Sequence, residues 1–201
     1  MNPPRCQLYL RVPGAAEPGA ARACVAAALE AGDVAALLVR RHEREEMTIR
    51  MLEALKSLAQ ERNVAVVVAG ADELARRLGA DGVEVADRAA YDSARKRLGA
   101  SAIVGADCAA SRHLAMEFAE VGADYVGFAN AAEGGLELVE WWGELFEVPC
   151  VALDPVEPEE AGELARRGAD FVVPAEAMRA SPARARGVVA ATLRALDEGA
   201  R

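Results

Sequence analysis

Eight short apolar segments, each followed by a stretch with helical character, repeat along this chain from Gln7 to its C-terminal part. Successive segments begin 18 to 30 residues apart, which leaves room for one strand, one helix and two short loops per unit. Eight such units predict an α/β fold, a single (β/α)8 (TIM) barrel. The predicted strands are Gln7 to Val12, Val34 to Val39, Val64 to Val68, Gly82 to Val85, Ala102 to Ala106, Tyr125 to Phe128, Cys150 to Leu153 and Phe171 to Pro174.

The segments between these strands carry helix signals. Met47 to Arg62 has apolar residues at a 3.6-residue spacing, and Pro18 to Ala31 is followed by a helix-ending glycine. The tripeptide Gly-Ala-Asp stands before three of the strands, which is typical of a repeated helix-to-strand joint. No linker or low-complexity stretch divides the chain, so we expect one TIM-barrel domain over residues 1–201, with a frayed end from Asp197 to Arg201.

The charge and the cysteine content indicate which partners and which cellular location to expect. The chain has 23 basic and 32 acidic residues, and a nucleic-acid or anionic-membrane surface needs the opposite excess, so neither partner is expected. The four cysteines have no Cys-x-x-Cys spacing and are expected to be reduced, mostly buried thiols. No segment resembles a signal peptide or reaches the ~20 apolar residues that span a bilayer. We therefore expect a cytoplasmic location.

Histidine and cysteine chemistry is not favoured. The two histidines, His42 and His113, are 71 positions apart, and His113 lies in a predicted helix, so they do not predict a metal site. Cys108 follows the fifth strand, but no histidine is placed beside it, so an idle thiol is favoured over a nucleophile. From these patterns we expect no metal ligand and assign no catalytic residue.

Two longer motifs carry a family resemblance. Asp72 to Val83 (DELARRLGADGV) is similar to D-L-A-x-x-x-G-A-D-G-V, and Gly122 to Phe128 (GADYVGF) to G-A-D-Y-V-G-F. Both are motifs of the thiamine phosphate synthase and TenI (thiazole tautomerase) family, which the chain resembles over nearly its whole length. The resemblance implies the barrel fold. It also implies a link to thiamine biosynthesis, where the synthases join hydroxymethylpyrimidine diphosphate to thiazole phosphate with the help of Mg²⁺.

The substrate motifs of that family are only partly present. After the second strand the family has Q-L-R-E-K, whose Gln and Lys contact the diphosphate substrate, and only the Arg is retained, as Arg40. After the third strand, Ala69 to Ala71 replaces N-D-R and offers no carboxylate for Mg²⁺. After the fourth and fifth strands, Glu84 to Asp87 replaces H-L-G-Q, and Asp107 replaces a Ser.

The phosphate-binding loops of the family also differ. Residues 129–135 lack the residues of its Thr-x-Thr-Lys loop, Asp154 and Pro155 replace two glycines that bind the thiazole phosphate, and Glu176 replaces a Ser. Proline has no amide hydrogen, and a carboxylate ~4 Å from a phosphate costs about 4 kcal/mol, against roughly 1 to 2 kcal/mol gained per hydrogen bond. We therefore expect no phosphate at the loops after the seventh and eighth strands.

Basic and acidic side chains are predicted together at the barrel mouth. One interpretation is a pocket for a ligand with separated charges, in which the arginines bind a carboxylate or phosphate and the acids bind an amine or metal. The other is that these side chains pair with one another in a vestigial cavity. The ligand-binding candidates are Arg11, Arg40, Arg41, Asp107, Asp154 and Glu176.

Three functions remain open at this point. The expected one is a thiamine phosphate synthase-like pseudoenzyme, without synthase activity or cofactor, that binds a small-molecule ligand or regulates. The alternative is an active transferase of the thiamine phosphate synthase type, which needs Mg²⁺. The third is an interaction scaffold, such as a homodimer, that uses Trp141 or Trp142 on the outer wall.

Overall fold

The computed structural model describes residues 6–175 and 181–199. Eight parallel strands form a closed barrel in chain order, with β1 paired to β8, and a helix follows each strand, so the predicted (β/α)8 fold is confirmed. The strands are β1 Gln7–Val12, β2 Ala36–Val39, β3 Ala65–Ala69, β4 Gly82–Val85, β5 Ile103–Asp107, β6 Tyr125–Phe128, β7 Cys150–Val156 and β8 Phe171–Pro174. The helices are α1 Pro18–Ala31, α2 Glu45–Gln60, α3 Asp72–Leu78, α4 Arg88–Leu98, α5 Arg112–Glu120, α6 Gly135–Leu145, α7 Pro158–Arg166 and α8 Pro182–Gly199.

The strands are apolar on both faces because each face packs against a different core. Alternate residues, such as Leu8 and Leu10 of β1, pack outward against the helices and belong to the larger core. The residues between them point into the barrel and form a second, smaller cluster that includes Tyr9, Leu38 and Tyr125. Inward side chains near the carboxyl ends of the strands therefore form the floor of the barrel mouth.

Several boundaries differ from the sequence prediction by one or two residues: β2 begins later, β3 and β5 are each shifted by one residue, and the helix predicted from Met47 to Arg62 is α2, Glu45–Gln60. Two further differences have a clear structural reason. β7 continues past Leu153 to Val156, because a register shift between Ala152 and Pro155 lets the strand keep its pairing with β8. The expected fraying from Asp197 is wrong for residues 197–199, since α8 extends to Gly199. A Cβ on Gly199 would lie 3.1 Å from the carbonyl oxygen of Gly162, so the end of α8 is packed closely against α7.

The tryptophan pair of α6 divides between core and surface. Trp142 is fully buried and donates from Nε1 to the Val148 carbonyl at 2.7 Å. Trp141 is half-buried, and the guanidinium of Arg112 lies 4.5 Å from its ring centroid. A homodimer through this face stays a prediction. None of the helices in the described ranges is both long and apolar enough to cross a membrane.

Candidate functional site

An open cleft of about 280 Å³ lies at the carboxyl ends of β2 to β5. Three of the six predicted ligand-binding residues line it: Arg40 and Arg41, which follow β2, and Asp107 at the end of β5. Its other lining residues are Ala69, Gly70, Glu84, Val85 and Ala86. The cleft therefore has arginines on one side and carboxyl groups on the other.

The two arginines are positioned by neighbouring loops. The backbone N–H of Arg40 donates to the Val12 carbonyl at 3.0 Å, and a Cβ on Gly14 would lie 2.2 Å from the Arg41 carbonyl oxygen, so only glycine allows this approach. Nη1 of Arg41 donates to the Gly70 carbonyl at 3.1 Å. The exposed Arg40 guanidinium makes no hydrogen bond within the described part of the chain. Of the two arginines that line the cleft, Arg40 is thus the more available to an anionic ligand.

Glu84 is the buried carboxyl at the bottom of the cleft. It points inward from β4, is only 4% exposed, and contacts one tyrosine from β1 and one from β6. The hydroxyls of Tyr9 and Tyr125 lie 3.3 and 3.1 Å from Oε2 of Glu84 and 2.7 Å from each other. The three oxygens form a closed hydrogen-bonded ring, which we call the Glu84 triad.

Glycine in β5 makes room for the Glu84 triad. A Cβ on Gly105 would lie 1.9 Å from Cζ of Tyr125, so no other residue at this position would allow the ring to occupy the barrel interior. The rings of Tyr9 and Tyr125 meet edge to face with centroids 5.8 Å apart, a favourable aromatic geometry. The triad is therefore held by packing as well as by hydrogen bonds.

Burial, with the charge of Asp107 adding to it, raises the pKa of the Glu84 carboxyl to about 7, while Arg11 and the two hydroxyls act in the opposite direction. Burial also raises the pKa of both tyrosine hydroxyls well above the usual value, so they remain protonated donors. When Glu84 is ionised, only the two tyrosine protons are available for the three oxygen–oxygen contacts of the triad. A protonated Glu84 supplies a third proton. The carboxyl therefore gains and loses a proton near neutral pH.

Asp107 and Arg11 flank the Glu84 triad. Asp107 is partly exposed, and its Oδ1 accepts from the backbone N–H of Ala109 at 3.1 Å, in a turn that holds Ala109 at φ 47°. Arg11 points into the barrel interior, where Nη1 donates to the carbonyl of Leu153. Arg11 thus joins β1 to β7 across the interior, while Asp107 lines the cleft.

Asp154 belongs to a different arrangement on the other side of the mouth. Its Oδ2 accepts from the Ala131 N–H at 2.8 Å, and its own N–H donates to Oδ1 of the buried Asn130 at 2.8 Å. This reciprocal pair connects the loop after β6 to β7. The sixth predicted residue, Glu176, lies outside the described residues. The ion pairs within the described ranges, such as Arg95–Asp124 and Arg167–Glu140, do not join two of the predicted mouth residues.

The sequence interpretation missed the Glu84 triad. In the sequence, Glu84 stands at a position of a family motif and the two tyrosines lie in predicted strands, and neither pattern brings the three residues together. The available signal was the two-residue period of the strands: Tyr9 shares the inward face of β1 with Arg11, and Glu84 stands between Val83 and Val85 in a strand whose residues are all buried. A charged residue in such a strand is a candidate functional group.

His42, His113 and Cys108 are not among the residues that line the cleft. Among residues 6–175 and 181–199 no group of three or more His, Cys, Asp or Glu side chains could hold a metal ion. Nδ1 of His42 accepts from the Arg44 N–H at 2.9 Å, and the exposed His113 lies 3.8 Å from Glu117. Burial raises the pKa of the Cys108 thiol to about 12, which keeps it protonated.

Comparison with known proteins identifies relatives over most of the chain. The model of the thiamine monophosphate synthase family matches residues 8–178. A thiamine-phosphate synthase of Rhodospirillum centenum is 43% identical, over 83% of this chain and 86% of the relative, and one of Hyphomonas neptunium is 39% identical, over 84% of each. A solved thiamine phosphate pyrophosphorylase from Pyrococcus furiosus has the same fold, with a TM-score of 0.78, 20% identity and coverage of 96% of both chains.

The expectation of a pseudoenzyme is wrong. Relatives at 39–43% identity over most of the chain carry the name thiamine-phosphate synthase, which favours the active-transferase alternative instead. The replaced motif side chains do not leave the cleft without charged groups, because it keeps Arg40 and adds Arg41, Glu84 and Asp107. The family model, the relatives and the resemblance of the motifs agree, and the chain belongs to the thiamine monophosphate synthase family.

Proposed function

We propose that this chain is an active thiamine phosphate synthase. In the proposed reaction the bond between the pyrimidine methylene carbon and the diphosphate breaks, a carbon–nitrogen bond to thiazole phosphate forms, and pyrophosphate leaves. The observation that carries the proposal is the 43% identity to a named thiamine-phosphate synthase over 83% of the chain. The proposed location of the reaction is the cleft at the ends of β2 to β5.

The arginine side of the cleft is the proposed diphosphate site. A guanidinium binds phosphate oxygens through charge-assisted hydrogen bonds, and Arg40 has no competing partner among the described residues. Arg41 is anchored to Gly70 by one nitrogen and keeps further N–H groups for a ligand. Positive charge at this place stabilises the negative charge that the leaving diphosphate gains as its bond breaks.

In this proposal Mg²⁺ binds together with the diphosphate substrate. Mg²⁺ binds through one or two carboxylates together with substrate phosphates, so the diphosphate itself would supply most of its ligands here. When bound, the ion would neutralise part of the diphosphate charge. The proposal also includes a cytoplasmic location, which is supported by the free thiols of Cys6, Cys24, Cys108 and Cys150.

The test is a turnover assay on the purified chain. Hydroxymethylpyrimidine diphosphate, thiazole phosphate and Mg²⁺ are mixed with the protein, and pyrophosphate and thiamine phosphate are measured together. We expect the two products in equal amounts, and no thiamine phosphate when either substrate is left out. The synthase from Rhodospirillum centenum serves as positive control; if it turns over and this chain forms no thiamine phosphate, the proposal is wrong.

A further inference from the structure

We propose that Glu84, held by Tyr9 and Tyr125, recognises the amino group of the pyrimidine substrate and so determines specificity for an amino-bearing ring. The inference rests on the proposed synthase function, because it concerns the same cleft. It assigns a role to the Glu84 triad, which the proposed binding of diphosphate by Arg40 and Arg41 does not use. The contact would be made by Oε1, the second oxygen of the carboxyl group.

The hydrogen bonds of Glu84 leave Oε1 available. Both tyrosine hydroxyls contact Oε2, and no described residue donates a hydrogen bond to Oε1. In the described ranges no fully buried side-chain nitrogen or oxygen lacks a hydrogen-bond partner. An oxygen without a partner is therefore not fully buried, which agrees with the position of Glu84 in the lining of the cleft. An ionised carboxylate has about four acceptor positions, so Glu84 has unused capacity there.

The surroundings of Glu84 favour a ligand that brings its own N–H donor. The barrel interior beside the triad is apolar, with Leu38 and Val67 among its buried residues, and a carboxylate that has lost water there is stabilised by any further donor. The nearest charged groups are Asp107, which is negative, and Arg11, which is positive, so the charge of the Glu84 carboxylate is not simply neutralised by its neighbours. The titratable and charged groups around Glu84 are Tyr9 and Arg11 on β1, Asp107 at the end of β5 with Cys108 next to it, Tyr125 on β6 and, across the cleft, Arg40 and Arg41.

The cleft as a whole fits a molecule with an anionic end and an N–H end. Arg40 and Arg41 line one side, and Glu84 with Asp107 lines the other. A pyrimidine diphosphate that carries a ring amine has both ends: the diphosphate matches the guanidinium groups, and the amine matches a carboxylate oxygen. Asp107 already accepts from Ala109 and is more exposed, so the buried Glu84 is the more discriminating acceptor.

The experiment compares the binding of two pyrimidine alcohols that lack the diphosphate and cannot react. One carries the ring amine and the other has a methyl group in its place; calorimetry gives the Kd of each at pH 8, where Glu84 is mostly ionised. We expect the wild-type protein to prefer the amine by roughly tenfold, because only the amine can donate a hydrogen bond to the ionised carboxylate, and the methyl group makes none. We expect Glu84→Gln to lower that preference to about twofold or less, and the exposed control Glu147→Gln to leave it unchanged.

A purely structural role of Glu84 would weaken the binding of both alcohols equally and leave their ratio unchanged, and this outcome would overturn the inference. So would a wild-type protein that does not distinguish the two alcohols. If Glu84→Gln does not fold, Tyr125→Phe decides: a preference reduced about threefold supports the inference, and an unchanged one contradicts it. Because neither alcohol reacts, the binding measurement and the turnover assay are independent. A negative binding result does not change the turnover result, and an absence of turnover does not change the measured binding preference.

Discussion

Polar side chains on the two sides of the barrel mouth differ in their hydrogen-bond partners. On the side of Asn130 and Asp154, which we call the loop-tied side, the side-chain oxygens accept hydrogen bonds from backbone N–H groups and hold the loop after β6 against β7. On the cleft side, Arg40 makes no side-chain hydrogen bond to a described residue, and Glu84 is bonded through one oxygen only. The difference indicates that a polar residue at the mouth is a ligand candidate when its side-chain atoms are not already hydrogen-bonded to the protein backbone.

The largest expected effect that separates the two sides is the pH dependence of stability due to Glu84. Its pKa in the folded protein is raised to about 7, above the ordinary 4.5, so the folded state holds the proton more tightly than the unfolded state. Glu84 therefore stabilises the fold at low pH, and this contribution, about 3 kcal/mol, is lost as pH rises from 4.5 to 7.

This prediction is measured by urea unfolding at several pH values. In the wild type the free energy of unfolding should fall between pH 4.5 and 7. We expect this fall to be much smaller in Glu84→Gln and unchanged in Glu147→Gln, which alters an exposed carboxylate. A decline of equal size in the wild type and Glu84→Gln would show that Glu84 is not the titrating group, and the two sides of the mouth would then not differ in this way.

The packing under the cleft is tested by Gly105→Ala. The new methyl group would lie 1.9 Å from Cζ of Tyr125, so the ring must move, at a cost of about 2 to 3 kcal/mol in the free energy of unfolding. The matched control is Gly187→Ala in α8, where a Cβ meets no atom within 4 Å and alanine improves helix propensity by about 0.5 to 1 kcal/mol. Equal stability of the two variants would contradict the close packing of the Glu84 triad.

The role of the free arginine is tested by Arg40→Ala. Loss of a charge-assisted contact to phosphate should lower kcat/KM for the pyrimidine diphosphate by about 10- to 100-fold, mainly through KM. Arg62→Ala removes another exposed arginine, between α2 and β3, and should change kcat/KM by less than about twofold. If both variants retain wild-type kinetics, the cleft side does not bind the diphosphate.

The smallest effect is expected on the loop-tied side, from Asn130→Ala. The buried amide would no longer accept from the Asp154 N–H, which should cost about 1 to 2 kcal/mol of stability. Because these atoms bind backbone and not ligand, kcat/KM should change by less than about threefold. A loss of activity much larger than the loss of stability would mean that the loop-tied side takes part in the reaction.

The sequence predicted the barrel well because its strands and joints are local patterns. β1, β4, β6 and β8 have the predicted bounds, since apolar runs with turn signals on either side define them. β7 was predicted too short, because Asp154 and Pro155 read as a loop, whereas pairing with β8 carries the strand to Val156. That pairing depends on residues far away in the sequence.

The candidate site was predictable only in part, for the same reason. The position of Arg40, Arg41 and Asp107 at the mouth follows from the strand ends. That the Asp154 carboxylate accepts from Ala131 depends on how two separate loops meet, and no local pattern contains it. The contact of Glu84 with both tyrosines likewise joins β4 to β1 and β6 across the barrel.

The most direct test of the central claim is a crystal structure of the protein with hydroxymethylpyrimidine diphosphate bound. We predict the diphosphate beside the guanidinium groups of Arg40 and Arg41, with the pyrimidine ring directed towards Glu84. A diphosphate bound beside Asp154 on the loop-tied side, with the cleft side empty, would contradict the account.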